Sequence, residues 1–308
     1  MNRPGKAANP AQKTLLDTLA SAGVIVSCCR MVLAASCCSK VTCAPDCPFL
    51  SDRLLSALPF AVQAASCSDT GGNYEAWKAE MAAEAKAEGV GKKGIAALMA
   101  TSYSKVTIGA DRNQKSFKYS LEKFLEVRGA ETIIAQGRKR KAKNPEFYAA
   151  LEAEYGVPAG VLIAIHGMET AFGGFMGDTK VVSAIATLTY DCRRSDFFRP
   201  HLLGALLLVD QGTISGDTLG AKHGELGHTQ FLPGNAYAYG VDGDGDGVID
   251  LYDPTDALAT TANFLREKGW KPGKGYQEGE PNFAVIKEWN AATVYQQAIA
   301  LMGARIDG

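Results

Sequence analysis

Ile163-Ala-Ile-His-Gly-Met-Glu169-Thr-Ala-Phe-Gly-Gly-Phe-Met-Gly177 sets one carboxyl at the end of an apolar run and follows it with a glycine-rich stretch. Val161, Leu162, Ile165 and Met168 recur at helical spacing, which predicts a helix from Pro158 to about Phe172 with one apolar face. Pro158 suits the first turn, where a missing N–H costs nothing. The glycines that follow stop the helix. Glu169 therefore falls in the last turns of a hydrophobic helix, flanked by Met168 and Phe172. Desolvation there disfavours the anion and raises the pKa. A carboxyl tuned upward can act as a general acid near neutral pH. By chemistry alone the signal is thin, because most helical glutamates are solvated surface groups.

Working outward, Asn144-Pro-Glu opens a preceding helix, with Phe147, Leu151 and Tyr155 spaced at four and Gly156-Val-Pro158 closing it. Residues 73–100 carry Trp77, Met81, Ala85, Ile95, Leu98 and Met99 at helical spacing, which predicts two short helices around Gly89–Gly91. Ser116 to Ala135 reads as another helix, as do Val181 to Thr189 and Phe197 to Val209. No alternating strand of any length is present, so the expected class is mainly α, with any sheet a short ribbon. Arg138-Lys-Arg-Lys-Ala-Lys143 reads as a solvated helix face or loop in preference to a nucleic-acid patch; attraction to an anionic wall polymer is a third reading.

The 308 residues allow one large domain or two. With 46% apolar and 21% charged residues, wholesale disorder is excluded. A formal net charge of −1 argues against a globally basic nucleic-acid binder. No phosphate loop, dinucleotide fingerprint or Ser/His/Asp arrangement appears, so nucleotide and acyl-transfer chemistry have no support and no organic cofactor is expected. No apolar run reaches membrane-spanning length. Seven of the eight cysteines lie in the first 67 residues, and Cys192 stands apart. Arg53-Leu-Leu-Ser-Ala-Leu-Pro-Phe-Ala-Val-Gln-Ala64 resembles the end of a secretory signal, with small residues Val62 and Ala64 at the cleavage positions. Residues 1–64 are thus expected to be a signal or extension that is removed or disordered, which places the protein in the periplasm or outside the cell. Other readings stay open: a disordered cytosolic tail, an over-long start, a zinc set from Cys37, Cys38, Cys43 and Cys47, or lipid attachment at Cys67. Cleavage after Ala64 would leave Cys67 and Cys192 as the remaining thiols. In an oxidising compartment two such thiols usually pair, which predicts a Cys67–Cys192 disulfide; two unpaired thiols are the alternative.

Further motifs surround the opening stretch. Gly167-Met-Glu169-Thr-x-Phe-Gly-x-x-Met-Gly177 is followed by Ala186-Thr-Leu-x-Tyr190-x-Cys-Arg-Arg194 and Gly224-x-Leu-Gly-His-Thr-Gln-Phe-Leu-Pro233. Tyr239-x-Val-Asp-Gly-Asp-Gly-Asp-Gly247, Thr261-Ala-Asn-Phe-Leu265 with Gly269-Trp270, and Glu280-Pro-Asn-Phe-x-Val-Ile286-x-x-Trp-Asn290 complete the series. In this order and spacing they resemble the lytic murein transglycosylase B family, glycoside hydrolase family 103, over about residues 66–308. The short stretch from Trp270 to Asn282 looks like its periplasmic proteobacterial subgroup. The resemblance implies a lysozyme-like helical catalytic domain, with a helical part over about 65–145 and a catalytic core over about 146–308. It implies cleavage of peptidoglycan glycan strands between N-acetylmuramic acid and N-acetylglucosamine without water, giving 1,6-anhydro ends. Glu169 would act first as acid and then as base, and the sugar's own 2-acetamido group would support the cationic centre. Ordinary glycosidases use two carboxyls; if a second acid exists here, Asp178 and Glu225 are the candidates. Gln230, Phe264, Trp289, Asn290 and Tyr295 match residues that face the sugar cleft. Phe264 lacks a hydroxyl that relatives often carry and Ala221 one that some carry, and His223, Glu225 and His228 add polar groups. A muramidase and a non-catalytic peptidoglycan-binding module are the alternative readings. Implied partners are glycan strands and other cell-wall enzymes.

Asp242-Gly-Asp-Gly-Asp-Gly-Val-Ile-Asp-Leu-Tyr-Asp253 follows the rhythm of an EF-hand loop. Asp242, Asp244 and Asp246 would supply carboxylates, and Val248 a carbonyl. The resemblance points to Asp256 as the closing ligand of a loop over 242–256, with Asp253 as the alternative. Hard oxygen donors favour a structural Ca2+.

Overall fold

The structure, a computed structural model, describes residues 65–113 and 119–308. The signal-like segment 53–64, the upstream cysteines and the stretch from Ser116 lie outside the described residues. Within them, helices dominate. The first group is α1 (Tyr74–Ala87), α2 (Lys92–Met99), α3 (Lys105–Arg112), α4 (Leu121–Arg128), α5 (Ala130–Lys143) and α6 (Pro145–Tyr155). The second is α7 (Ala159–Thr170), α8 (Val181–Tyr190), α9 (Ser195–Gln211), α10 (Pro233–Tyr239), α11 (Pro254–Glu267), α12 (Phe283–Trp289) and α13 (Thr293–Asp307). The described sheet is a ribbon in which β1 (Thr179–Lys180) runs antiparallel to β2 (Leu219–Gly220), with Thr179 opposite Gly220. Among the described residues no single helix is long and apolar enough to cross a membrane.

α7 is the axis of the fold. Every residue from Ala159 to Met168 is buried, as is Thr170, and the partly exposed residue of the helix is Glu169. An apolar helix of this kind is stable only when it is covered on all sides. α13 and α5 cover it, and α6 and α11 pack beside it. The α7–α13 contact is close because two glycines meet: a Cβ at Gly160 would lie 2.2 Å from the Gly303 carbonyl oxygen. α9 packs on α8, α10 and α2. It also caps α2: Asp210 accepts from the N–H of Gly91, the N-cap residue that offers no side chain, and from Gly94 N at 2.8 Å.

Two helix limits differ from the sequence expectation. The helix read over Ser116–Ala135 is broken at Gly129, whose φ of 67° turns the chain between α4 and α5. The helix expected to reach Phe172 stops at Thr170, because Ala171 and Phe172 adopt φ of 49° and 63°. The basic run 138–143 forms the last turns of α5, where cations complement the carbonyl end. It is tied to α13: Arg138 Nε donates to the Arg305 carbonyl at 2.8 Å and Lys141 Nζ meets Asp307 at 2.7 Å. The Arg140 guanidinium lies 4.3 Å from the centroid of the Phe172 ring.

Cys67 and Cys192 form a disulfide, with Cα atoms 4.9 Å apart. Around it, Ser68 N donates to the Tyr190 carbonyl at 2.8 Å, Ala65 N to Glu84 Oε2 at 3.2 Å, and Arg199 Nη2 to the Ala65 carbonyl at 3.0 Å.

Candidate active site

Glu169 owes its position to the turn that follows it. The Thr170 hydroxyl donates to the His228 carbonyl at 2.6 Å and accepts from Gly173 N at 2.9 Å. The turn then passes through two left-handed non-glycine residues, Ala171 and Phe172, a costly conformation held by its surroundings. Gly173, at φ 89°, has no room for a side chain: a Cβ would lie 2.3 Å from His228 Cε1. The chain therefore leaves α7 abruptly, and Glu169 remains at the floor of a cleft.

Two donors from the C-terminal helices reach this carboxyl. The Tyr295 hydroxyl donates to Oε1, and Trp289 Nε1 donates to the same oxygen at 3.2 Å. With both donors on Oε1, the proton of the neutral acid belongs on Oε2. Burial pushes Glu169 up to about 7, against the two hydrogen bonds and the Arg128 charge, while the Glu225 charge pushes the same way as burial. Tyr295 is driven well above its ordinary value, first by burial and then by the Glu169 charge, so it remains a neutral donor. The group is thus placed to hold a proton near neutrality and to be stabilised once it has lost it.

The cleft has a volume of about 340 Å³ and collects residues from four parts of the chain. Gln230 lines it in a left-handed conformation at φ 55°. Its Nε2 is committed to the carbonyls of Gly227 at 2.8 Å and Met176 at 3.4 Å, so Oε1 is the atom it offers a ligand. Asn290 lines the cleft with the opposite polarity: its Oδ1 accepts from Ala292 N at 3.0 Å, which leaves its NH2 to donate. Phe264 and Trp289 meet edge to face, with ring centroids 5.6 Å apart, and Phe231 packs on both. Tyr295 lies behind Glu169, buried, and serves the carboxyl. The structure thus brings together all five expected substrate residues around Glu169. Sequence reasoning missed Phe231 and Asn235, which also line the cleft. Their signal was available in the run Gln230-Phe-Leu-Pro-Gly-Asn235, which wraps the cleft wall into the first turn of α10.

The two candidate second acids are treated differently by the fold. Asp178 is exposed in the loop before β1. Glu225 lines the cleft together with Glu169. Its pKa is raised by burial, against backbone N–H groups of Glu225 and His223 and the charge of Arg194. His223 lies between two carboxylates, 3.6 Å from Glu225 and 3.9 Å from Asp111. His228 is directed away, its Nδ1 2.9 Å from Nε2 of the buried His166; burial lowers His166 to about 3 and lowers the half-buried His228 as well, so that pair stays neutral.

The acidic glycine loop lies between the cleft wall and α11. Carboxylate oxygens of Asp242, Asp244 and Asp256 lie within 4.8 Å of one another. Asp256 is buried and already orders the loop, accepting from Gly243 N and Asp250 N, each at 2.8 Å. Asp253 is used otherwise: it is the N-cap of α11, accepting from Thr255 N at 2.6 Å. Asp246 accepts from Val248 N at 2.7 Å and stands outside the trio. An all-oxygen set with one buried carboxylate suits a hard divalent cation. The loop is joined to the site through His228 N, which donates to the Leu251 carbonyl at 2.9 Å.

The profile of the Transglycosylase SLT domain family matches residues 73–279. The membrane-bound lytic murein transglycosylase B of Escherichia coli (strain K12) is 36% identical over 137 residues. That match spans 42% of this chain and 38% of the length of the curated relative. Among solved structures, SltB3 from Pseudomonas aeruginosa in complex with NAG-NAM-pentapeptide has a TM-score of 0.70 at 27% identity, covering 77% of this chain and 80% of that one. The Escherichia coli lytic transglycosylase SLT35 in complex with calcium has a TM-score of 0.63 at 20% identity, covering 79% and 96%, a likeness of fold. These likenesses bear out the mainly helical, lysozyme-like class expected from the sequence.

Proposed function

The chain belongs to the Transglycosylase SLT domain family, and from that premise we propose that it is a lytic murein transglycosylase acting on peptidoglycan glycan strands. The observation that carries the reading is Glu169: a carboxyl raised to about 7, clamped on Oε1 and open to the cleft. In the first step Oε2 gives its proton to the oxygen linking N-acetylmuramic acid to N-acetylglucosamine. The carboxylate left behind is stabilised by Tyr295 and Trp289, as a charge-assisted acceptor should be. The sugar's acetamido oxygen supports the positive charge at C1. Glu169 then takes the proton of the muramoyl C6 hydroxyl, whose oxygen closes on C1 to give a 1,6-anhydro end. Gln230 and Asn290, with opposite polarities, hold acetamido or hydroxyl groups, and Trp289 packs against a sugar face, backed by Phe264, which is buried and does not itself reach the ligand. The NAG-NAM-pentapeptide bound by SltB3 supports this class of ligand.

A structural Ca2+ completes the reading. Asp242, Asp244 and Asp256 with the Val248 carbonyl would hold it, Asp246 joining them if its carboxylate turns inward. The cation would supply charge neutralisation and stiffness to the loop behind Gln230 and take no part in the chemistry. The calcium complex of SLT35 supports that choice of metal. The Cys67–Cys192 disulfide supports an oxidising compartment, the periplasm.

The test is digestion of purified peptidoglycan, with products read by mass spectrometry and Glu169→Gln alongside. Muropeptides one water lighter than the hydrolysed form, lost in the variant, are the expected result. Reducing-end products would replace the reading by a muramidase, and no products from folded protein by a binding module.

A further inference from the structure

Beside the acid, the cleft offers a ligand few free polar side chains. Ala221 brings no side-chain donor or acceptor, and the amides of Gln230 and Asn290 are each half spent on the backbone. Asn235 lines the same cavity and differs from both. Among the described residues its side-chain amide makes no hydrogen bond. The residue is partly exposed, and neither its Oδ1 nor its Nδ2 is sealed from solvent. The amide therefore has an acceptor and two N–H donors to give.

Its backbone is held on both sides. At the start of the run, Leu226 and Phe231 exchange two hydrogen bonds at 2.9 and 3.0 Å. At its end, α10 presses on α9: a Cβ on Gly204 would lie 2.5 Å from Gly234 Cα, and one on Gly234 would lie 3.1 Å from the Pro200 carbonyl oxygen. Asn235 follows directly on this contact, so its amide is presented from a packed wall. A recognition contact needs that kind of support. A sugar entering the cleft displaces solvent from the amide and must match its polarity.

We propose that Asn235 is a substrate-contacting residue that sets the register of the glycan strand, its Oδ1 accepting from the C3 hydroxyl of the N-acetylglucosamine on the leaving side of the cleaved bond. The inference deepens the reading of the cleft as a glycan site and rests on it. The linking oxygen that Glu169 protonates is O4 of that N-acetylglucosamine. Its C3 hydroxyl is on the neighbouring carbon, within the cavity that Glu169 and Asn235 share. In N-acetylmuramic acid the C3 oxygen is an ether bearing the lactyl group and stem peptide, with no O–H to donate. The two sugars alternate, so a slip by one unit would set that ether against Asn235 and leave the amide oxygen without a donor. Sites built around a substrate hydroxyl discriminate strongly against the partner that lacks it. Asn235 transfers no proton.

The experiment uses a tetrasaccharide, GlcNAc-MurNAc-GlcNAc-MurNAc with its peptides, which has one internal MurNAc–GlcNAc bond. A second version lacks the C3 hydroxyl on the GlcNAc after that bond. Each is given to the full chain, to Asn235→Ala and to Asn235→Leu, a change that keeps the volume and removes both polar atoms. The expected result is a 5- to 30-fold fall in kcat/KM for either variant on the natural tetrasaccharide. Wild type should fall by a similar factor on the deoxy version. Variant and deoxy substrate together should lose no more than about twofold beyond either alone, as coupled partners do. Losses that multiply, or wild-type kcat/KM in both variants, would overturn the proposal.

Three further readings separate contact from structure. Both variants should melt within about 2 °C of wild type, because no protein partner is lost. A loss of stability that accounts for the lost activity would overturn the contact. The alkaline limb of the pH–rate profile should stay in place, since the side chain carries no charge; a moved limb would make Asn235 part of the acid's surroundings instead. Binding of the two tetrasaccharides to Glu169→Gln and to Glu169→Gln/Asn235→Ala repeats the cycle without turnover. If wild type gave reducing-end products, the transglycosylase reading would fail while this binding cycle still decided the contact.

Discussion

The Tyr295 hydroxyl donates to Glu169 Oε1 across 126 residues of sequence, joining the start of α13 to the last turn of α7. That bond favours the carboxylate and works against burial, which favours the acid. Tyr295→Phe should therefore raise the Glu169 pKa further and shift the alkaline limb of the activity profile upward, by roughly one pH unit. It should also cut kcat about 10- to 100-fold, because the second step needs a stable carboxylate. A pH–rate profile of the variant checks both; a limb that stays in place would remove Tyr295 from the acid's environment.

Replacing the acid itself should slow turnover by orders of magnitude and alter stability with a defined sign. Glu169→Gln is expected to lose roughly 10²- to 10⁴-fold in rate. The folded-state value near 7 lies above the reference value of 4.5. The folded protein thus holds the proton more tightly, and wild-type stability falls as pH rises from about 4.5 through 7. Glutamine has no such dependence. The variant should match wild type at pH 4 and exceed it by roughly 1–3 kcal/mol at pH 8. Urea melts at the two pH values decide the matter.

The disulfide closes a span of 125 residues. Cys67→Ser/Cys192→Ser should lower stability by about 3–5 kcal/mol, chiefly through the freed unfolded chain. Denaturation with and without reductant should show the wild type falling to the level of the double variant, and the double variant unmoved.

The acidic loop separates metal binding from helix capping. Added Ca2+ should raise the melting temperature of the wild type, by about 2.7 kcal/mol of stability at a hundredfold excess over Kd, and a chelator should reverse it. Asp256→Ala should lose the response. Asp253→Ala should keep it while costing about 1 kcal/mol as a lost N-cap. Thermal melts of the three proteins with and without Ca2+ would expose a wrong ligand choice, if Asp253→Ala and not Asp256→Ala abolished the shift.

Much of this was legible in the chain, for reasons that differ by residue. The apolar spacing of α7 and its glycine-rich exit placed Glu169 at a helix end, because burial and chain reversal leave local traces. Its chemistry was legible only through the order of several motifs; a lone glutamate carries no such mark. The break at Gly129 was hidden because the glycine sits inside an otherwise helical run, and its left-handed φ is fixed by how α5 must turn back onto α7 and α13. Glu225 looked like a departure from the family pattern. The structure sets it in the same cavity as a residue 56 positions earlier, and no local rule reports that. The basic run 138–143 had its bland reading in sequence, but its partners on α13 did not.

The glycine crossing of α7 and α13 behaves as a fulcrum. From Gly160 to Glu169 the first arm runs nine residues, roughly 13 Å, and from Gly303 back to Tyr295 the second runs eight, roughly 12 Å. The arms are nearly equal, with the acid at one tip and its donor at the other. Tilting either helix by about 5° would part the tips by about 1 Å, enough to break the hydrogen bond between them. A single methyl at Gly160 is therefore expected to act on the chemistry from a distance, as leverage, while leaving every residue of the cleft unchanged in identity.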